Sequence, residues 1–474
     1  MKTLMRLCFE STVLLLLIFT FSHEAFSVPP ELLPPSFTIE GKKAVPVDFQ
    51  SVALNLHFNV ATKKATAEGK VHFKVIEEGY PILDMVPTPT IVRFDGKEIP
   101  VSTFAEIRDP QSVTKLRLLK ELVREKSEHT LEVAYVIPAD DVTFTTTGVR
   151  MGMFMDDVSS VDGRGFLEQY APSNLEFDQF SLTIRVTIDG SGANQRLFTN
   201  GIMSQIDQAV WNITFPDYFT SSSPYLHISD QAFNTDSTNH KGIAKDIPIT
   251  VYAESASLAK TALERAVKVM GELESTYGPY AHQKFLAYVT PSGGGMEYCG
   301  ATMTSLSALP HELTHSWFAR GVMPANGNAG WIDEAIASWR DAGYPTANAN
   351  PNRPPVNLGA FAPYRRSTPG AAYSSGMLFM SELDFLFKNT GGLKNVLKTL
   401  FAQKKRDLVT TPMFHGILEK FSNLNLGASF SRYVYGKADD TGFWALDFPS
   451  PEIMENSQNE LPRRFTKDEL LRFR

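Results

Sequence analysis

The sequence predicts a multidomain α+β protein, an N-terminal antiparallel β domain followed by an α/β domain, and three observations carry the prediction. From about residue 50 to 250, apolar residues recur at every second position, the pattern of strands buried on one face. After Ile247–Val251 the apolar spacing changes to that of a helix. A length of 474 residues accommodates two or three domains of ordinary size. Composition agrees, because 43% hydrophobic and 20% charged residues exclude disordered, collagenous and coiled-coil chains. The net charge of −7 comes from 52 acids and 45 bases with no dense Lys/Arg block, so nucleic acid is not an expected partner.

Residues 1–27 read as an export signal. Lys2 and Arg6 precede the apolar run Val13–Phe21, and Ala25 and Ser27 place small residues where a signal peptidase cuts. The run is about half of what a bilayer crossing needs, so no stable membrane span is expected. Cys8 leaves with the signal. Cys299 is then the remaining cysteine, an intrachain disulfide is ruled out, and the side chain reads as small and buried.

Residues 28–246 form the β domain. Val52, Leu54, Leu56, Phe58 and Val60 alternate with polar neighbours, as do Leu131, Val133 and Tyr135, and then Phe180, Leu182, Ile184, Val186 and Ile188. Asp95-Gly96 and Asp189-Gly190 supply turns. Residues 247–440 form the second domain, opened by a helix whose Ala262, Leu263, Ala266, Met270, Leu273 and Tyr277 share one face before Gly278-Pro279 stops it. A strand at Phe285–Val289 follows, and the Gly293-Gly294-Gly295 run lets a backbone approach a ligand closely. The Pro/Asn-rich stretch 348–370 is too long for a connector and reads as a lid or an insert. Residues 441–474 are a tail, charged at its end.

The chemistry concentrates at His311-Glu312-Leu313-Thr314-His315. On a helix, residues four apart share a face, so both imidazoles project towards one ion, and zinc suits them. Glu312 points about a quarter turn away, where it can hold a water at the metal's open position and act as general base. Ser307 is placed to cap this helix, Pro310 falls in its first turn, and Gly321 closes it after Arg320. A second helix is expected over Trp331–Ala342 with Glu334 in its first turn, eighteen residues separating it from His315.

That spacing, with Gly294-Gly295-Met296-Glu297 upstream and Trp331-Ile332-Asp333-Glu334 downstream, resembles the gluzincin metallopeptidases. The similarity covers about residues 165–440 and is to the exported branch of the alanyl aminopeptidase and leukotriene hydrolase family. The resemblance implies a thermolysin-like α/β catalytic domain and one catalytic Zn2+ held by His311, His315 and Glu334, with Glu312 as base. It also implies that Glu297, on the Gly294-Gly295-Met296 segment, grips the free α-amine of a peptide. The family's oxyanion tyrosine in Y-x-x-G corresponds to Tyr373-Ser-Ser-Gly376, with Tyr344 and Tyr364 as competing candidates. A further amine contact falls to Gln169, or failing it Glu168. Departures are Tyr298 where the family has asparagine, a short thirteen-residue interval between Glu297 and His311, and the lack of the large C-terminal helical domain of long members. The expected activity is removal of N-terminal residues from peptides by an exported zinc enzyme. An endopeptidase of the same fold and a non-catalytic secreted binding protein are the alternatives.

Overall fold

The computed structural model describes residues 28–437 apart from 111–113, 153–166, 349, 351–352, 361–362 and 365–367. The expected export signal, the C-terminal tail and parts of the 348–370 stretch lie outside the described residues.

Five strands frame the β domain: β1 (Lys42–Asn59), β2 (Lys64–Val75), β3 (Glu128–Val136), β4 (Ser181–Asp189) and β5 (Val210–Thr214). They lie in the order β5-β4-β1-β2-β3 within a larger sheet. The alternating residues named from the sequence are its buried face: Val52, Leu54, Leu56 and Phe58 on β1 and Leu182, Ile184, Val186 and Ile188 on β4. Pairing is antiparallel along β1-β2-β3 and β4-β5, but β4 runs parallel to β1 with Leu182 beside Val52. Both pairings share the two-residue side-chain period, so periodicity does not reveal a strand's direction.

The second sheet contains β6 (Asn234–Lys241), β7 (Asp246–Ala253), β8 (Phe285–Thr290), β9 (Gly295–Tyr298) and β10 (Ala301–Ser305), ordered β6-β7-β8-β10-β9. Strands β7, β8 and β10 are parallel, while β9 folds back antiparallel on β10 as the edge. This sheet begins at Asn234, ahead of the expected border at residue 246. β6 is polar and mostly exposed, so its pairing with β7 leaves no apolar alternation to read. Helix α1 (Ala256–Tyr277) buries the predicted face. The Ser255 hydroxyl accepts from the Leu258 N–H, and Gly278, at φ +106°, ends the helix.

Among the described residues six more α-helices follow: α2 (Leu309–Thr314), α3 (Ile332–Asp341), α4 (Met377–Leu386), α5 (Gly392–Lys404), α6 (Thr411–Ser422) and α7 (Gly427–Tyr433). The two domains meet through polar contacts at the β9–β10 turn. Asn200 Nδ2 donates to the carbonyls of Ser223 and Cys299 at 2.8 and 2.9 Å, and Lys284 Nζ donates to Gly201 O at 2.8 Å. Met296, Tyr298 and Cys299 join the apolar core of the β domain, which holds the edge strand in place. The described part of the 348–370 stretch packs on Val434 and on the segment ahead of β1. Gly359 N–H donates to Val434 O, and the Tyr364 ring meets Phe37 while its hydroxyl reaches Pro35 O. Among the described residues no helix is long and apolar enough to cross a membrane.

Candidate metal centre

Helix α2 is shorter than the sequence suggested. It ends at Thr314, with His315 as its C-cap, and no side chain caps its N-terminus; the Ser305 hydroxyl, not that of Ser307, accepts from the Ala308 N–H. Beyond His315 the chain coils back, Arg320 N–H bonding to His315 O, and then pairs Val322–Pro324 in parallel with Asp407–Val409. Gly321 is needed in that reversal because a Cβ there would sit 2.5 Å from Ser316 O. The pull of this pairing, which joins segments far apart in sequence, breaks a helix that local spacing would continue.

The single turn of α2 still places both imidazoles on one face, with ring centroids 4.8 Å apart. Glu334, in the first turn of α3, brings Oε2 within 2.9 Å of His311 Nε2 and 3.6 Å of His315 Nε2. One ligand atom from each of the three lies within 4.8 Å of the others. Partners behind the rings set the tautomers. His311 Nδ1 faces Asp341 Oδ2 at 2.6 Å and His315 Nδ1 faces Phe318 O at 3.1 Å. His315 Nδ1 donates to the carbonyl, so its Nε2 turns a lone pair inward, while His311 faces carboxylate oxygens on both ring nitrogens. His315 Nε2 is buried with no hydrogen-bonding partner among the described residues. Two imidazole nitrogens and a carboxylate oxygen with an orphaned inward lone pair fit a zinc ion.

Electrostatics favour a cation at this point. Burial works to raise Glu334, but the His315 and His311 imidazoles prevail and hold the carboxyl well below its ordinary range. Burial also opposes protonation of His311, yet Asp341 and Glu334 raise it to about 10, so a positive charge is favoured at this point. Burial pushes Glu312 up to about 8 against the two imidazoles, with Glu297 and Glu334 adding to the rise. A carboxyl near neutrality can both take and return a proton.

Glu312 lies against β9. A Cβ on Gly295 would stand 2.5 Å from Glu312 Cγ, Cδ and Oε1. The glycine therefore makes room for the carboxylate itself, while Gly293, at φ +112°, shapes the approach and Gly294 faces open space. Tyr373 sits in a π-helical turn, Ala372–Gly376, that packs on α3. Gly376 permits this, since a Cβ there would be 2.7 Å from Ala335 Cβ. The Tyr373 hydroxyl donates to Glu334 Oε1 at 2.9 Å, and its ring stacks along His311. Tyr344 instead packs on Trp339 and Lys394, and Tyr364 on Phe37.

No protein-family model matches this sequence, and no curated protein does. Solved structures do match. Legionella pneumophila aminopeptidase A, solved in complex with aspartic acid, superposes with a TM-score of 0.63 at 14% identity over 82% of this chain and 49% of that one. The M1 zinc metallopeptidase of Deinococcus radiodurans superposes with a TM-score of 0.57 at 14% identity over 85% of this chain and 96% of that one. A mutant of the latter bound to a Tyr-Ser-Ala substrate gives 0.57 at 15% identity over the same shares. This chain has the M1 metallopeptidase fold. The M1-fold chain thus spans about half the length of the Legionella protein and nearly all of the Deinococcus one.

In this M1-fold chain Glu297, on β9, is buried and already engaged. Arg320 Nη2 lies 3.0 Å from Glu297 Oε1, and Arg320 Nε–H donates to the Glu297 carbonyl at 3.2 Å. The guanidinium, 1% exposed, also contacts Ser222 Oγ, which donates to Glu176 at 2.8 Å. The turn bearing Glu168 and Gln169 joins this network from behind, through the Leu167 N–H bond to Ser221 O. A second cluster, Glu297, His315 and Asp333, shares His315 with the first. Cys299 is buried and its thiol is pushed up to about 12 by that burial, so it is a protonated side chain and no nucleophile.

Sequence reasoning missed Arg320 and Asp341. Asp341 was legible, because it lies two helical turns beyond Glu334 on the same face of α3. Arg320 was not, because only the chain reversal after α2 turns it inward.

Proposed function

We propose that this chain is an exported zinc aminopeptidase that removes N-terminal residues from peptides. The observation that carries the reading is the convergence of His311, His315 and Glu334 within 4.8 Å, with the buried His315 Nε2 left without a hydrogen-bonding partner among the described residues. When bound there, zinc supplies Lewis acidity to the scissile carbonyl. Glu312, buried beside the ligands and against Gly295, takes the proton of the attacking water and returns it to the leaving amine. Tyr373 turns its hydroxyl from Glu334 to the developing oxyanion. Glu297 holds the substrate's α-ammonium, so that the first peptide bond is the one presented. The Legionella and Deinococcus proteins, solved with an amino acid and with a tripeptide substrate, have folds consistent with such a substrate class. Export rests on the Lys2/Arg6, apolar and Ala25/Ser27 pattern of residues 1–27, with cleavage after Ser27.

The Arg320–Glu297 ion pair favours a second reading. A guanidinium already compensates the amine anchor, which weakens selection for a free N-terminus and suits an endopeptidase. Metal analysis combined with hydrolysis of matched peptides bearing free and acetylated N-termini separates the two. The aminopeptidase reading expects one zinc per chain and cleavage of the free peptide only. Equal cleavage of both would select the endopeptidase, and zinc binding without turnover would select a binding protein.

A further inference from the structure

A cavity of about 720 Å³ lies at the junction of the two domains, and two of its walls are buried carboxylates, Asp48 on β1 and Asp178 in the segment before β4. Asp48 is 4% exposed and Asp178 1%. Asp178 Oδ2 is well satisfied, accepting from the Phe49 N–H at 2.7 Å and from Asn174 Nδ2 at 2.6 Å. Asp178 Oδ1 and Asp48 Oδ2 are not. Each is buried with no hydrogen-bonding partner among the described residues. Two orphaned carboxylate oxygens in one cavity demand a positive counter-charge or a proton, since an uncompensated buried charge is strongly disfavoured. Lys74 stands opposite Asp48 across the β1–β2 pair and with Gln50 favours its carboxylate, but burial outweighs both, and among the described residues no ion pair joins Lys74 to either carboxylate. The remaining charged groups nearby do not supply the need. Asp217 and Asp407 add negative charge, Asp407 is taken by Lys404 at 2.7 Å, and Arg406 lies over the Tyr218 ring.

The same cavity is lined by Val28, itself buried, followed by Pro29 and Pro30. Val28 is the residue that cleavage after Ser27 would leave at the N-terminus. We propose that the α-ammonium of Val28, released when the export signal is removed, is the counter-charge of the Asp48/Asp178 pair. The inference rests on the export reading above. Hydrolysis of the Ser27–Val28 bond consumes one water and leaves a Ser27 carboxylate and a Val28 α-amine, which takes a proton from solvent at neutral pH. Before cleavage that nitrogen is an amide, with one N–H and no charge, so the pair is compensated only in the mature chain. The two prolines restrict the backbone that carries the nitrogen, with Pro29 at φ −56° and ψ 132°, which lowers the entropy lost in placing it. Cleavage then couples export to the docking of β1 against the segment that leads into β4, because Asp178 already binds the Phe49 N–H of β1.

The test uses the exported, naturally processed protein. Its intact mass and N-terminal residue are determined first, and then the α-amine is titrated by competitive acetylation across pH 6 to 11, read at the N-terminal peptide by mass spectrometry. The expected N-terminus is Val28. Its amine is expected to titrate at least about one unit above the ordinary 7.7–8.0, a tenfold smaller free-base fraction at neutral pH, and to return to that range in Asp48→Asn. Asp178→Asn is measured as well, but the wild-type midpoint and Asp48→Asn decide the matter should that variant not fold. A mature chain beginning elsewhere overturns the proposal through its cleavage step. A Val28 amine that titrates ordinarily overturns the pairing while leaving cleavage intact. Peptide hydrolysis assayed in parallel reports separately on the zinc site.

Discussion

Replacing Gly295 by alanine tests whether the β9 backbone positions the general base. The added Cβ would stand 2.5 Å from Glu312 Cγ, Cδ and Oε1, whereas carbon atoms come into contact at about 3.5–4.0 Å. The carboxylate must retreat by roughly 1 Å, and a displacement of that size at a reacting group costs on the order of a hundredfold in rate, or about 2.7 kcal/mol in the barrier. Gly295 is not among the glycines with positive φ, so alanine suits its backbone and the damage stays local. Steady-state kinetics on an aminoacyl amide, with metal content and the thermal midpoint measured on the same samples, is the assay. The expected result is a kcat lowered about a hundredfold with one zinc per chain retained, because the methyl group meets Glu312 first. An unchanged kcat, or activity lost in proportion to zinc, would refute the reasoning.

Further outcomes follow from the same geometry. Glu312→Gln should lower kcat by about 10²–10⁴ with zinc bound as in the wild type, which metal analysis beside the assay checks. Tyr373→Phe should lower kcat by about 10²–10³ and leave zinc in place, and a change confined to KM would count against its oxyanion role. Asp341→Ala frees His311 Nδ1 and should weaken zinc about 10- to 100-fold in a chelator competition. Asp48 is pushed up to about 6 by burial, against Lys74 and Gln50. In the uncleaved chain the folded state therefore holds a proton that the unfolded state releases near its ordinary 3.8. Stability should then fall as pH rises from about 4 to about 6, by no more than roughly 3 kcal/mol, and Asp48→Asn should flatten that slope in urea titrations.

The strand and helix periods were visible in the chain because each side chain reports its own burial. Val52 to Phe58 and Leu182 to Ile188 alternate, and Ala262 to Tyr277 recur helically, and both patterns are buried as written. The two imidazoles and Glu312 were legible for the same reason, since a single helical turn places residues four apart on one face. Asp341, though missed, lay within reach of the same helical spacing. These features depend on local geometry, which a sequence carries directly.

What only the tertiary structure decided are relations between segments that local geometry does not couple. The parallel seating of β4 on β1, the entry of polar β6 into the second sheet and the early end of α2 all come from pairings across long stretches of chain. The placing of Tyr373 beside Glu334, with Tyr344 and Tyr364 elsewhere, depends on Gly376 packing on Ala335, and the grip of Arg320 on Glu297 on the reversal after His315. The cavity that brings Val28 to Asp48 and Asp178 belongs to the same class. Burial of a charge beside its partner is a property of the folded neighbourhood, and residue order alone does not contain it.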